Sequence, residues 1–283
     1  MSSEKNRSII ILTKLIKDKL ALLGLVIILV FLFVGLFAPY IAPNDPEKID
    51  LTQKICYPNK KYPLGTDHLG RCIFSRIIYG AKISLLSSSA VLILILFISL
   101  PLGTISGYYR GNIDNCIMGI IDIFMAFPSI LLAIVTAGIL GPSLANTMMA
   151  LAAVWWVKYV RFIRSLVLSI KEKDFIMAAK ASGTSSIKII LRHIIPNIIS
   201  QIIVLATLDI GNIILSISGL SFLGLGAQPP TSEWGVMLND SRTYFQLAPR
   251  LMLIPGIAIT IITMAFNFLG DGLRDVLDPK IIS

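Results

Sequence analysis

The chain has 283 residues, of which 55% are hydrophobic and only 14% are charged, and its mean hydropathy is +0.81. Soluble domains carry about 25% charged residues, so a water-soluble protein of this composition would expose too much apolar surface. The formal net charge is +9, but the basic residues lie beside apolar runs and form no separate basic domain, which argues against nucleic-acid binding. The composition predicts an integral membrane protein.

Six apolar runs approach the length of about 20 residues that a helix needs to cross the hydrocarbon layer. They are residues 20–38, 84–108, 113–140, 144–160, 198–218 and 252–269. Backbone polar groups in lipid have to be paired within the segment, so each run is predicted to be a helix. The expected fold is an all-α membrane protein with six transmembrane helices.

The distribution of lysine and arginine predicts the orientation of these spans. Basic residues are concentrated in the N-terminal segment and in residues 157–195, so both are expected in the cytoplasm, and six spans then place both termini there. One loop conflicts with this rule, because residues 39–82 carry seven basic residues, diluted by four acids, on the opposite side.

These spans divide the chain into segments with predicted locations. They are the cytoplasmic segment 1–19, the first transmembrane helix 20–38, the extracytoplasmic loop 39–82, a five-helix core 83–270 and a cytoplasmic tail 271–283. A second outer segment, 219–242, is glycine-rich, then Pro-Pro, then amphipathic, and is too short to span. We expect it to be re-entrant or interfacial near the outer mouth.

The most informative segment is residues 171–197, a long basic stretch between two apolar runs. It contains the pair Ala178-Ala179, then Gly183 as a helix C-terminal cap, and it ends near Pro196. This pattern predicts a helix-turn-helix on the cytoplasmic face. Small residues at successive turns favour close approach by a partner protein, and the alternative is an amphipathic helix resting on lipid headgroups.

Two acids lie within predicted spans, where a charge is costly. Asp122 precedes Pro128, which permits a kink, and Asp209 lies beside Asn212. Asp122, Asp209 and Asn212 are therefore candidates for a polar translocation path, although a buried acid bonded to a neighbouring helix or subunit fits equally well. Asp114 lies at the end of a span, where solvation alone explains it.

The sequence contains no catalytic machinery, no cofactor motif and no phosphate-binding loop, so the chain is not expected to be an enzyme or to hydrolyse nucleotide itself. His68 and His193 are predicted on opposite sides of the membrane, which excludes a shared metal site. Cys56 and Cys72 share one loop, so a disulfide is possible, but two free thiols are favoured.

Residues 177–196 resemble the EAA loop of binding-protein-dependent ABC importer permeases. The matching residues are Ala178, Ala179, Gly183 and Pro196, and Ile195 stands where that family has leucine. Met177 stands where that family has glutamate, and His193 where it has isoleucine. Residues 63–85, 221–242 and 264–280 resemble the dipeptide/oligopeptide/nickel permease subfamily, with Cys72 in place of the usual aspartate.

The resemblance implies a type I importer fold in the bacterial plasma membrane. This subunit would pair with a homologous permease, two ATP-binding-cassette ATPase subunits and an extracytoplasmic solute-binding protein. The loop helix would dock on an ATPase, whose ATP-driven closure would switch the cavity between inward-facing and outward-facing states. The implied ATPase-coupling residues are Met177, Ala178, Ala179, Gly183, His193 and Pro196.

Similarities in three short sequence runs predict the cargo. Residues 122–129, 205–211 and 233–242 look closer to nickel permeases than to dipeptide permeases, which favours nickel or a metal-chelate complex over a short peptide. No ligand set supports a naked metal ion. Two alternatives belong to other classes: an ion-coupled secondary transporter using Asp122 and Asp209 as proton carriers, and a membrane scaffold that transports nothing.

Overall fold

The computed structural model describes residue 15 and residues 17–277, so most of the predicted cytoplasmic segment 1–19 and the end of the tail 271–283 lie outside the described residues. The described part is almost entirely helical, and its only strand-like pairing is an isolated bridge between Thr66 and Cys72. The prediction of an all-α protein is confirmed. The helices are α1 (Lys19–Leu36), α2 (Ala38–Ile41), α3 (Ile73–Tyr109), α4 (Gly111–Met125), α5 (Ser129–Leu140), α6 (Leu144–Lys171), α7 (Asp174–Ala181), α8 (Ser186–Ile189), α9 (Ile195–Phe222), α10 (Trp234–Ser241) and α11 (Arg250–Leu277).

Four helical segments in the described part of the chain are long and apolar enough to cross a membrane. They are α1, α3, the continuous stretch Ser186–Phe222 that contains α8 and α9, and α11. The predicted single span 113–140 is instead two helices, α4 and α5, bent by 87°. Pro128 causes the break, because it lacks an N–H and disfavours helical backbone before it. α6 has 28 residues but carries Lys158, Arg161 and Arg164, and it is not among the helices that are apolar enough to span. By length and composition, four or five of the six predicted spans are therefore supported.

α3 begins well before the predicted start at residue 84. Its first turns carry Arg76, which pairs with Asp67, and the carbonyl of Ile77, which accepts a bond from Trp234. Loop residues rather than lipid therefore cover this polar part of the helix. The outer loop predicted at 39–82 therefore ends at Cys72. Hydropathy misplaced this boundary because it detects only the lipid-facing part of a helix that is 37 residues long.

α3 and α6 pack closely along their length. A Cβ atom added at Gly103 would lie 2.8 Å from the Cβ atom of Ile163, and one added at Gly107 would lie 2.8 Å from that of Val167. Small residues at such crossings let helix backbones approach in a membrane. α9 completes this core, while α1 and α11 pack on the other side of α3.

The connecting segments gather at two opposite ends of the bundle. We call residues 42–72 and 223–249, at the end where α3 and α6 begin, the cap. We call residues 171–197, at the end where α6 finishes, the coupling segment. The short helix α10 lies in the cap with Trp234 fully buried, in agreement with the prediction that residues 219–242 are too short to span.

Candidate functional site

The coupling segment folds as two helices around a turn, as the sequence predicts. α7 ends at Ala181, and Gly183 adopts a positive φ of 74°, which favours glycine. The N–H of Thr184 donates to the carbonyl of Ala179 at 3.1 Å and closes the turn. α8 begins at Ser186, so the change of direction takes only four residues.

Most of the predicted ATPase-coupling residues are accessible at the surface. Met177 is 52% exposed. Ala178, Gly183 and Pro196 are exposed, whereas Ala179 and His193 are half-buried. Ile176 is fully buried and holds α7 against the bundle. A short π-helix, Ile190–Ile194, joins α8 to α9, and Pro196 lies in the first turn of α9.

Contacts with Tyr108 attach the coupling segment to the corner between α3 and α4. The ammonium group of Lys171 donates to the Tyr108 carbonyl. The ammonium groups of Lys171 and Lys180 lie 5.4 and 5.5 Å from the centroid of the Tyr108 ring. Arg110 and Glu172 add an exposed ion pair at 3.2 Å. These contacts leave the outward surface of α7 uncovered.

A cleft of about 390 Å³ opens between α4, α5, α6 and α9. Lys158 Nζ lies 2.8 and 3.0 Å from the two carboxylate oxygens of Asp209. The side-chain amide of Asn212 donates to Asp209 Oδ1 at 3.2 Å. The structure therefore brings two of the three predicted path residues, Asp209 and Asn212, together at one cleft. Lys158 also lines this cleft, although in the sequence it served only as one of the basic residues that predict the cytoplasmic side.

Asp122 lies elsewhere. It is on α4, it pairs with Arg161 Nη2 at 2.5 Å, and its side chain is 64% exposed, compared with 2% for Asp209. It does not line the cleft. Asp122 is thus bonded to a neighbouring helix, as the second interpretation holds, but it is exposed in this subunit rather than buried.

The solvated position predicted for Asp114 is wrong. The residue is 6% exposed, Arg164 binds both of its carboxylate oxygens at 2.6 Å, and Ser106 donates to it at 2.5 Å. Because α3, α4 and α6 each supply one of the three side chains, this cluster joins three helices. No local signal marks it, since Arg164 lies 50 residues away in sequence.

Sequence reasoning also missed a buried ion-pair network in the cap. Arg71 Nε contacts Asp67 Oδ2 at 2.6 Å, and Arg71 Nη2 contacts Asp240 Oδ2 at 2.8 Å. Arg76 Nη1 contacts Asp67 Oδ2 at 2.7 Å, and both arginine side chains are 1% exposed. Two positive charges thus balance two negative ones, as buried charges require. The network joins the runs 63–85 and 221–242, which the sequence analysis treated as separate outer segments.

The surroundings of this network shift two pKa values in the cap. Burial raises the pKa of Asp67, but Arg71 and Arg76 outweigh that effect, so the pKa lies below its usual value. Burial lowers the pKa of His68, because an imidazolium is poorly solvated there and neighbouring Asp67 and Asp240 only partly compensate. The His68 ring stacks on Tyr244 with a centroid distance of 5.0 Å.

Other candidate chemistry is not assembled in the described part of the chain. Among residues 17–277, no group of three His, Cys, Asp or Glu side chains could hold a metal ion. Cys56 and Cys72 carry free thiols, and the thiol of Cys56 donates to Gln53 at 3.3 Å. His68 lies in the cap and His193 in the coupling segment, at opposite ends of the bundle.

Comparison with protein families gives two matches. Residues 99–283 match the family of binding-protein-dependent transport system inner membrane components. Residues 9–61 match the N-terminal transmembrane domain of oligopeptide transport permease C. Together the two matches leave only residues 1–8 and 62–98 uncovered, and the longer match therefore begins in the last third of α3.

Several curated proteins are similar over almost the whole chain. The dipeptide transport system permease protein DppC of Alkalihalophilus pseudofirmus is 47% identical over 94% of this chain and 88% of its own. The nickel transport system permease protein NikC of Escherichia coli is 42% identical over 92% of this chain and 94% of its own. The glutathione transport system permease protein GsiD of Escherichia coli is 42% identical over 94% and 88%.

A solved structure shares the fold. The MetNI methionine ABC transporter, in inward-facing conformations, contains a chain that superimposes with a TM-score of 0.54 at 20% identity. The match covers 72% of this chain and 97% of that one. At this level of identity the likeness concerns the fold, and it confirms the predicted type I importer architecture.

Proposed function

Since this chain belongs to the family of binding-protein-dependent transport system inner membrane components, we propose that it carries nickel, bound in a chelate, across the bacterial plasma membrane. The chain is a multi-pass permease subunit of an ABC importer. The cargo proposal is supported by the nickel-like runs 122–129, 205–211 and 233–242 and by the nickel permease relative. A chelate fits better than a naked ion, because the cleft offers one carboxylate, an amide and an ammonium group.

A short peptide is the second candidate cargo, and two observations favour it. A dipeptide permease is 47% identical to this chain. The cleft also combines opposite charges, Lys158 and Asp209, with the aromatic side chains of Phe124, Phe127 and Trp155. Such a lining suits a zwitterion with apolar side chains.

The proposed partners are a homologous permease, two ATPase subunits and an extracytoplasmic solute-binding protein. The observation that carries this proposal is the exposed small-residue surface of α7, held to the bundle by Ile176 and by the Tyr108 contacts. In the proposed topology the coupling segment and both termini face the cytoplasm, where α7 meets an ATPase. The cap then faces outward, towards the binding protein.

Ala178→Trp tests the docking surface. Ala178 is exposed on α7, so a large side chain should fit the isolated subunit but prevent a close helix–protein contact. We expect copurification of the ATPase with tagged permease to fall by about tenfold or more, the effect of losing about 1.4 kcal/mol. Ala178→Ser keeps the residue small and serves as the matched control. Equal recovery of the ATPase with both variants would contradict the proposal.

The cargo is tested by uptake into vesicles that contain the complete complex, with ATP inside and the binding protein outside. We expect ATP-dependent accumulation of radiolabelled nickel supplied with citrate. Accumulation of a radiolabelled dipeptide without nickel would transfer the assignment to the second candidate. Uptake that requires a proton gradient but no ATP would support the ion-coupled alternative instead.

A further inference from the structure

We propose that Lys158 binds a carboxylate group of the cargo inside the cleft. This inference rests on the proposed function and specifies the chemistry that the translocation path recognises. A carboxylate is common to the C-terminus of a peptide and to organic-acid chelators of nickel, so the same contact serves either cargo.

The ion pair with Asp209 is asymmetric, and this leaves the positive partner available. The side chain of Asp209 is 2% exposed, whereas that of Lys158 is 55% exposed. An ammonium group has three N–H donors, and the contacts at 3.0 and 2.8 Å to Asp209 use two of them. Asp209 therefore positions the ammonium group beside the cleft and leaves one of its three N–H donors for a ligand.

The rest of the cleft favours a negative ligand. The negative charge of Asp209 is already engaged by Lys158 and by the amide of Asn212. Ser129, at the first turn of α5, also lines the cleft, and no side chain caps that helix N-terminus. Amide N–H groups at a helix N-terminus carry partial positive charge. The cleft thus offers a cation and the positive end of a helix dipole, beside the exposed amide of Asn212.

Apolar walls strengthen the contact. Phe124, Phe127 and Trp155 line the same cleft, and the Lys158 ammonium lies 5.9 Å from the centroid of the Trp155 ring. Aromatic surfaces exclude water, and hydrogen bonds to charged groups are stronger where the local dielectric constant is low. The break between α4 and α5 borders the cleft as well, which fits the rule that irregular backbone at membrane depth lines a cavity or is buried in protein.

A second ion pair in the bundle shows what a purely structural contact looks like. The side chains of Asp114 and Arg164 are 9% and 27% exposed, and Ser106 also bonds to the carboxylate. Both charges there are largely enclosed by α3, α4 and α6. The half-exposed ammonium of Lys158 does not fit that pattern, and it differs from the exposed Arg161–Asp122 pair because it lines the cleft.

The test uses the complete complex in vesicles, with radiolabelled Ala-Ala in one arm and radiolabelled nickel citrate in the other. For the probe that the wild type accumulates, Lys158→Met should reduce uptake by about tenfold or more, the worth of one hydrogen bond to a charged group. Lys158→Arg should retain most uptake. Copurification of the ATPase subunits checks that each variant assembles.

A charge swap separates cargo binding from helix packing. Lys158→Asp combined with Asp209→Lys preserves an ion pair but removes the cation from position 158, so uptake should stay as low as in Lys158→Met. Recovery of uptake in the swapped variant, or wild-type uptake in Lys158→Met, would show a structural pair and overturn the inference while leaving the proposed function intact. If the wild type accumulates neither probe, the proposed function fails and this inference fails with it.

Discussion

The two ends of the molecule are built in opposite ways. The cap closes on itself: Arg71 joins Asp67 to Asp240 through contacts buried from solvent, and Trp234 is fully enclosed. The coupling segment buries Ile176, Ile189 and Ile194 against the bundle, but the rest of α7 is largely exposed. The contrast indicates that the cap is held together by buried contacts within this subunit, whereas the outward surface of α7 has no such cover.

The largest effect is expected from breaking the cap network. Arg71→Ala leaves Asp67 and Asp240 buried with one arginine between them. Removing one partner of a buried ion pair costs about 3–5 kcal/mol, so the thermal unfolding midpoint of the purified subunit should fall sharply. Arg71→Lys, which keeps the charge but loses the two-pronged geometry, should fall less. An unchanged midpoint in Arg71→Ala would show that the cap does not depend on these charges.

A smaller effect is expected at the turn of the coupling segment. Gly183 has a φ of 74°, and an added Cβ would meet no neighbour within 4 Å, so backbone strain is the only local penalty. Gly183→Val should cost about 1–2 kcal/mol if the turn keeps its present backbone. Rearrangement of the turn would relieve this strain, so α7 should reorient and uptake should fall. Gly183→Asn is the control, because asparagine tolerates the left-handed region. Equal uptake in both variants would mean that the turn does not position α7.

The cap should also respond to pH. Because burial holds the pKa of His68 below its unfolded value of about 6.5, the unfolded chain binds the proton more tightly, and stability should decline as pH falls below that value. Asp67 has a depressed pKa, so its contribution persists above about pH 4 and is lost only as pH falls further. Unfolding midpoints at pH 8 and pH 5 test this. His68→Phe should flatten the difference, and an equal drop in both proteins would exclude His68 as its origin.

The smallest effect is expected at the exposed pair beside the coupling segment. Arg110 and Glu172 have side chains that are 51% and 71% exposed, and such pairs contribute about 0–1 kcal/mol. Glu172→Gln should therefore change the free energy of unfolding by no more than about 1 kcal/mol. A loss as large as that of Arg71→Ala would remove the contrast between the two ends.

Local patterns in the sequence predicted much of this architecture. The apolar runs located the long helices, and Gly183 located the turn of the coupling segment, because both depend on nearby residues. The start of α3 was misplaced, and residues 113–140 were predicted as one span although Pro128 was recognised as a possible kink. The start of α3 depends on contacts with the cap, which replace lipid around its first turns. The bend between α4 and α5 depends on how sharply Pro128 interrupts a run that hydropathy treats as continuous.

The charged sites were predicted less well, because charge pairing is a tertiary property. Asp209 was selected because it is an acid within a predicted span, but its partner Lys158 lies 51 residues away in sequence. Arg71 and Asp240 are 169 residues apart. Hydropathy and motif spacing carry no information on such pairs.

The central claim is that the coupling segment faces the cytoplasm and the cap faces outward. The most direct test introduces Ser182→Cys, in the exposed turn of the coupling segment, or Lys60→Cys, in the cap, after replacing the three native cysteines. In intact cells a membrane-impermeant maleimide should label Lys60→Cys alone, and Ser182→Cys should react only after permeabilisation. Labelling of Ser182→Cys in intact cells would contradict the account.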